Sequence, residues 1–315
     1  MSQLLLAVQP LRDADITQLN ELGVTVTTPD AISDDALANV TISYGWSATL
    51  GPKILSMPNN QLKWIQTMSA GVDYMPLKEL AEQGILLTNA SGLKSVPIAQ
   101  SAIGYMMHFA RGLNVYQNRN HWEEFTDQYM LSELPTVIFG TGHIGQQIAR
   151  YLSVFNTPVY GVNTSGRPVE GFDATFSIND LSSLPEVAVV ISVLPGTDAT
   201  KHFFNAEMLA QFQNLFLFVN VGRGSTVDQT ALLDALATQS IRYAALDVTE
   251  IEPIPDDSPL WHHDNLLLTQ HTTWAEHESS GRAGNLFPLF MKNLPDFLAG
   301  KPLTTNFVDV TRGYY

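Results

Sequence analysis

Cysteine is absent from the 315-residue chain. That excludes a disulfide framework, a thiolate zinc site and a thiol nucleophile, and it fits a reducing compartment. Charge is sparse, at 15% of residues, and unbalanced: 16 Lys and Arg stand against 31 Asp and Glu, for a net charge of -15. Phosphate contacts need clustered Lys and Arg, so nucleic acid is not an expected partner, and an anionic membrane surface would repel the chain. No apolar run approaches the roughly eighteen residues of a membrane-spanning helix. The opening MSQLLLAVQPLRDAD lacks a basic leader and has only a short apolar run, so it does not read as a signal peptide. A cytoplasmic location is expected. Internal repeats and low-complexity linkers are missing as well.

What is present is alternation. In the first third, apolar runs such as LLLAV, VTVTT, VTISYGW, LKWIQTMS and ILLTN are separated in places by stretches able to carry helices, among them DADITQLNELG and DDALAN. A helical pattern follows over about Pro97 to Asn118, with Ser95 as its expected cap. The alternation then restarts with TVIFG, PVYGV, VAVVISVLP, LFLFVNVG, YAALDV and NLLLTQ, and a last helix is expected over about Glu278 to Leu298. Near-continuous apolar runs suit strands covered on both faces, and their alternation with helices implies βαβ units and a parallel sheet. The fold class is therefore α/β, with two units divided near residue 100 favoured over a single large sheet.

Gly140-Thr141-Gly142-His143-Ile144-Gly145 matches G-x-G-x-x-G between an expected strand and helix. Gly140 would allow a tight turn, Gly142 a close approach of backbone to a pyrophosphate, and Gly145 close packing of helix on strand. The helix N-terminus would add free N–H groups and partial positive charge. Ordinary connections and S-adenosylmethionine sites use similar turns, so context decides. At the end of the next strand, where NAD sites place a carboxylate for the ribose, the chain reads Asn163-Thr164-Ser165-Gly166-Arg167. A carboxylate would repel a 2′-phosphate, whereas hydroxyl and amide donors and a guanidinium would hold it. Asp173 lies too far along to substitute. This favours NADP(H), with NAD(H) possible.

Three more candidates fall after apolar strands. Arg223 stands between two glycines in FVNVGRGSTVD, Glu250 and Glu252 follow Asp247 in ALDVTEIEPIP, and His271 ends LLLTQHTTW. Singly, each has a bland reading as an ion pair, a surface carboxylate or a lone histidine. Together, at the carboxyl ends of strands, they can build an anion anchor and an acid/base pair beside a nicotinamide. His262 and His263 lack metal-ligand spacing, and no metal is expected.

These residues, with ISVLPGTDATKHFFNAEML and SPLW, resemble the D-isomer-specific 2-hydroxyacid dehydrogenase family over about Thr67 to His271. The resemblance implies two Rossmann-like or flavodoxin-like parallel-sheet domains with the active site in the cleft between them. A substrate-binding domain would combine 1–99 with 281–315, and a dinucleotide-binding domain would span 100–280. It implies a homodimer acting on a small-molecule 2-ketoacid or 2-hydroxyacid. Arg223 would bind the substrate carboxylate, His271 would act as acid in reduction and base in oxidation, and Glu252 would favour the protonated imidazole. Backbone amides of Ala70, Gly71 and Val72 in SAGVD would also hold the substrate carboxylate. Asp247 would position the nicotinamide carboxamide, with Leu194, Pro195 and Val221 lining the cofactor cleft. Trp46 and Trp274 are candidates for the side-chain pocket and equally for core. Two departures stand out: Gln270 replaces the usual Pro before the histidine, and Ala99-Gln100 replaces the usual Ala-Glu. The missing ribose carboxylate is shared with the NADPH-dependent glyoxylate and hydroxypyruvate reductases. Competing readings are an NAD-linked dehydrogenase, a formate dehydrogenase disfavoured by Glu252, and a non-catalytic dinucleotide sensor on the same scaffold.

Overall fold

The apolar runs of the first third form a five-stranded sheet in which every pairing is parallel. A computed structural model describes residues 3–117, 119–212, 214–275 and 286–310. Its first part runs β1 (Gln3–Ala7), α1 (Asp13–Glu21), β2 (Val24–Thr27), β3 (Ile42–Tyr44), α2 (Leu50–Leu55), β4 (Trp64–Gln66), α3 (Leu77–Gln83) and β5 (Leu86–Thr88). The strand order is β2-β1-β3-β4-β5. DDALAN forms a 3-10 turn rather than an α-helix.

A second set follows: α4 (Ser95–Ala110), α5 (Leu113–Gln117), β6 (Thr136–Phe139), α6 (His143–Ser153), β7 (Val159–Asn163), β8 (Ala174–Ser177), β9 (Val189–Ser192), α7 (Ala206–Leu209), β10 (Leu215–Asn220), α8 (Gln229–Ala237), β11 (Ile241–Leu246) and β12 (Leu266–Leu268). Its seven strands pair in parallel in the order β12-β11-β10-β9-β6-β7-β8. The inner strands β6, β9 and β10 are buried at every position, as strands covered on both faces must be. The chain returns in α9 (Leu286–Leu298). Phe290 of that helix stacks on Trp64 at 4.5 Å and meets the edge of Tyr44 at 5.3 Å, both on the first sheet. Beyond it, Asn89 N–H donates to the Asn306 carbonyl and Val308 N–H to the Leu87 carbonyl, so the tail extends the edge at β5.

The chain divides into two units, residues 1–93 with 276–315 and residues 94–275. These divisions fall a few residues before the expected 99/100 and 280/281. The whole of α4 therefore belongs to the second unit, where Ala102, Met106 and Phe109 share a core with Ile148 and Leu152 of α6. Two local expectations are corrected. Ser95 is the first helical residue rather than the cap, which is Lys94. The helical stretch also breaks after Ala110, where Gly112 takes φ +63° and a Cβ there would lie 2.5 Å from the Phe125 ring. Its expected last residue, Asn118, lies outside the described residues, as do 276–285 at the start of the last expected helix.

Candidate active site

The second sheet delivers every chemical candidate of residues 140–271 to its carboxyl end, where open parallel sheets bind ligands. At the end of β6, Gly140 takes φ +105°. Gly142 is the N-cap of α6 and offers no side chain to the helix N-terminus, the end of a helix that favours an anion. A Cβ on Gly145 would lie 2.0 Å from the Gly140 carbonyl oxygen, so only glycine lets the helix approach the turn this closely. His143 is exposed and Ile144 half-buried at the first turn.

After β7 the chain folds around Asn163. Its side-chain carbonyl accepts from Ser165 N–H at 3.1 Å, and its amide donates to the Arg167 carbonyl at 2.9 Å and to Thr141 Oγ1 at 3.3 Å. The amide thus ties this loop to the glycine turn. Thr164, Ser165 and Arg167 are exposed, and Arg167 forms no ion pair with a described residue. Asp173, the nearest later carboxylate, accepts from Val159 N–H at 2.7 Å at the start of β7 and is committed there.

Arg223 follows β10, half-buried, with its Nη1 donating to the Gly222 carbonyl at 3.0 Å. The flanking glycines serve packing rather than access. A Cβ on Gly222 would meet the Leu194 carbonyl oxygen at 2.5 Å, and one on Gly224 would meet the Thr249 carbonyl oxygen at 1.8 Å. The loops after β9, β10 and β11 are therefore pressed together at their backbones. Leu194 and Val221 are buried beside this junction, and Pro195 is exposed.

His271 Nδ1 lies 2.8 Å from Glu252 Oε2, with both side chains about 40% exposed. A carboxylate can only accept, so Nδ1 donates and Nε2 is left as the nitrogen that can exchange a proton with a ligand. Glu252 Oε1 is held in turn by Thr249 N–H at 2.9 Å. His271 adopts a left-handed φ of +54°, uncommon for a side chain with a Cβ. Its backbone is fixed on both sides: His271 N–H donates to the Asp247 carbonyl at 2.7 Å, and Trp274 Nε1 donates to the His271 carbonyl at 2.6 Å. A cavity of about 560 Å³ opens here, lined by Thr249, Glu252, Trp261, Gln270 and His271 among others.

Asp247 is tied into the turn that carries His271. It is buried, and its carboxylate accepts from Thr269 Oγ1 (2.6 Å), Thr272 N–H (3.0 Å), Thr273 N–H (3.3 Å) and Thr273 Oγ1 (2.6 Å). Those bonds make it the anchor of the His271 turn. Tyr105 joins this network by a 2.7 Å hydrogen bond with Thr269 Oγ1, and burial pushes its phenol up to about 12, so it remains a neutral hydroxyl. Neither threonine nor Tyr105 was legible as part of the site. The one available signal is the density of threonine around His271.

In the first unit, the SAGVD turn has an unequal distribution of partners. The Ser69, Ala70, Gly71 and Val72 carbonyls all accept hydrogen bonds, whereas the N–H groups of Ala70, Gly71 and Val72 donate to no described residue. Three unsatisfied donors in consecutive residues suit a carboxylate. Trp46 is half-buried: it lies over Gly51, where a Cβ would fall 2.4 Å from its ring, and borders the core of Leu6, Ile54 and Ile65. Trp274 is 47% exposed, with Lys94 Nζ 5.7 Å from its ring centroid.

A parallel sheet whose glycine turn, ribose loop and charged residues share one edge defines a dinucleotide-dependent oxidoreductase. The D-isomer specific 2-hydroxyacid dehydrogenase NAD-binding domain model matches residues 103–273. The glyoxylate/hydroxypyruvate reductase B of Citrobacter koseri is 31% identical over 278 residues, 84% of each chain. The crystal structure of phosphoglycerate dehydrogenase from Lactobacillus plantarum is 34% identical, with TM-score 0.57 over 98% of this chain and 100% of that one. A D-isomer specific 2-hydroxyacid dehydrogenase from Xanthobacter autotrophicus Py2, solved in complex with NADPH and MES, is 25% identical, with TM-score 0.79 over 99% of each chain. The protein belongs to the D-isomer-specific 2-hydroxyacid dehydrogenase family of NAD(P)-dependent oxidoreductases, and glyoxylate/hydroxypyruvate reductases are among its relatives. Among the described residues, no helix is long and apolar enough to cross a membrane.

Proposed function

We propose that the protein reduces a small 2-ketoacid to the D-2-hydroxyacid with NADPH. The His271–Glu252 pair carries this reading, because it is a carboxylate-held imidazole with Nε2 available to a ligand. The residues fit a dinucleotide: an α6 N-terminus with no side-chain cap for the pyrophosphate, and exposed Thr164, Ser165 and Arg167 for a 2′-phosphate. The dinucleotide, when bound, supplies the hydride. Arg223 holds the substrate carboxylate. As negative charge grows on the keto oxygen, His271 Nε2 delivers a proton to it, and Glu252 compensates the charge that the ring carries beforehand. A homodimer remains the expectation from the family.

The test follows NADPH and NADH oxidation in parallel against a panel containing glyoxylate, hydroxypyruvate, pyruvate and bulkier 2-ketoacids, with wild type and Arg167→Ala. NADPH should be preferred, and the variant should weaken NADPH by about 10- to 100-fold while NADH changes little, the scale of a charge-assisted hydrogen bond. Equal losses for both cofactors would remove Arg167 from 2′-phosphate recognition. A wild-type preference for NADH would leave the reaction standing and overturn the cofactor assignment.

A further inference from the structure

We infer that His202 and Glu250 are positioning residues: they clasp the Arg223 loop from its two sides and fix where the guanidinium stands. The inference rests on the proposed role of Arg223 for its kinetic consequence, but its structural basis is separate. His202 Nε2 donates a close hydrogen bond to Glu250 Oε1 between the loop after β9 and the loop after β11, 48 residues apart in sequence. In the sheet, β10 lies between those two strands, so the pair reaches across the loop that carries Arg223.

Each partner also holds that loop by its backbone. On one side, His202 N–H donates to the Ser225 carbonyl at 2.8 Å and Phe204 N–H to the Thr226 carbonyl at 3.0 Å. Asp228 N–H returns a bond to the Phe204 carbonyl at 3.1 Å. On the other side, Glu250 Oε2 accepts from Gln229 N–H at 3.3 Å. The segment from Arg223 to Gln229 is thus bonded in both directions, and His202 takes a left-handed φ of +48° in doing so. The side chain of Arg223 leans on the same structure, since a Cβ on Gly196 would come within 3.2 Å of its Cγ.

Exposure argues for position over stability. The two side chains are 42% and 30% exposed, and polar pairs this exposed, charged or not, add little to the stability of a fold. A pair so placed constrains geometry instead. Glu250 is also two residues before Glu252, so the clasp couples the arginine loop to the loop that holds His271.

The experiment compares His202→Leu, Glu250→Gln and the conservative His202→Gln, whose amide can still donate to Glu250. Glyoxylate and NADPH kinetics are measured beside amide hydrogen exchange of segment 221–229 and thermal melting. The expected result is a glyoxylate KM raised about tenfold in His202→Leu and Glu250→Gln, with the NADPH KM unchanged. Exchange should quicken in 221–229 but not across the protein, and His202→Gln should behave as wild type. Unchanged exchange in that segment overturns the clasp. So does a matching rise in both KM values with a lowered melting temperature, which would mean general loosening. If wild type turns over no ketoacid, the proposed function fails, and the exchange result alone decides the clasp.

Discussion

At the scale of single residues, the proposed reaction depends on one imidazole. Thr249 N–H steers Glu252, Glu252 steers Nδ1, and Asp247 with its threonines fixes the turn beneath the ring. His271→Ala removes the proposed proton donor without touching the glycine turn. Its turnover should fall by about 10²- to 10⁴-fold, the usual worth of a general acid, while NADPH binding measured by fluorescence stays close to wild type. Turnover retained in the variant would assign the proton to another group. The sequence exposed His271, Glu252 and Arg223 because each follows an apolar strand. Their supports were hidden for a physical reason: Asp247 and Thr269 are 22 residues apart, and the hydrogen bond of His202 with Glu250 spans 48. Such pairs exist only once strands are adjacent, so no local pattern announces them. Trp46 shows the same limit from the other side, since an indole near a strand end has the same appearance whether it meets ligand or Gly51.

Elements were more legible than their ends. All four runs TVIFG, VAVVISVLP, LFLFVNVG and YAALDV became strands, because burial on both faces demands uninterrupted apolar sequence. β8 carries no such signal: Ala174–Ser177 is half-buried throughout at the sheet edge and needs no uninterrupted apolar run. The apolar spacing of α4 continues past Ala110, but Gly112 and Phe125 break the backbone there. In α6 the constraint is steric. Gly145→Ala would drive a methyl into the Gly140 carbonyl and push the helix off the turn. A loss of about 1–3 kcal/mol is expected from urea unfolding, with weaker NADPH binding. A variant of native stability and affinity would show that the turn accommodates a Cβ.

For the molecule as a whole, acid is the unfavourable direction. Burial holds the His108 imidazole on α4 below its ordinary range, so the folded state resists its protonation. As pH falls through about 6.5, the unfolded chain takes up that proton first, and stability present at pH 8 is lost on the way to the folded value. Arg12 hydrogen-bonded to Asp15, and Arg242 to Asp127, hold those carboxyls below the usual range and add acid sensitivity at lower pH. The urea midpoint should decline between pH 8 and pH 5, and His108→Gln should decline less. Parallel slopes for the two proteins would place the titration elsewhere.

The path of the chain also orders its own assembly. The first sheet waits for α9 to cover Trp64 and for Asn306 and Val308 to pair beside β5, yet all of residues 94–275 are synthesised before those segments. On a ribosome, the dinucleotide unit emerges complete while the other still shows bare aromatic surface. The first-begun unit is the last to close, and the interval between is when a nascent chain needs a chaperone most.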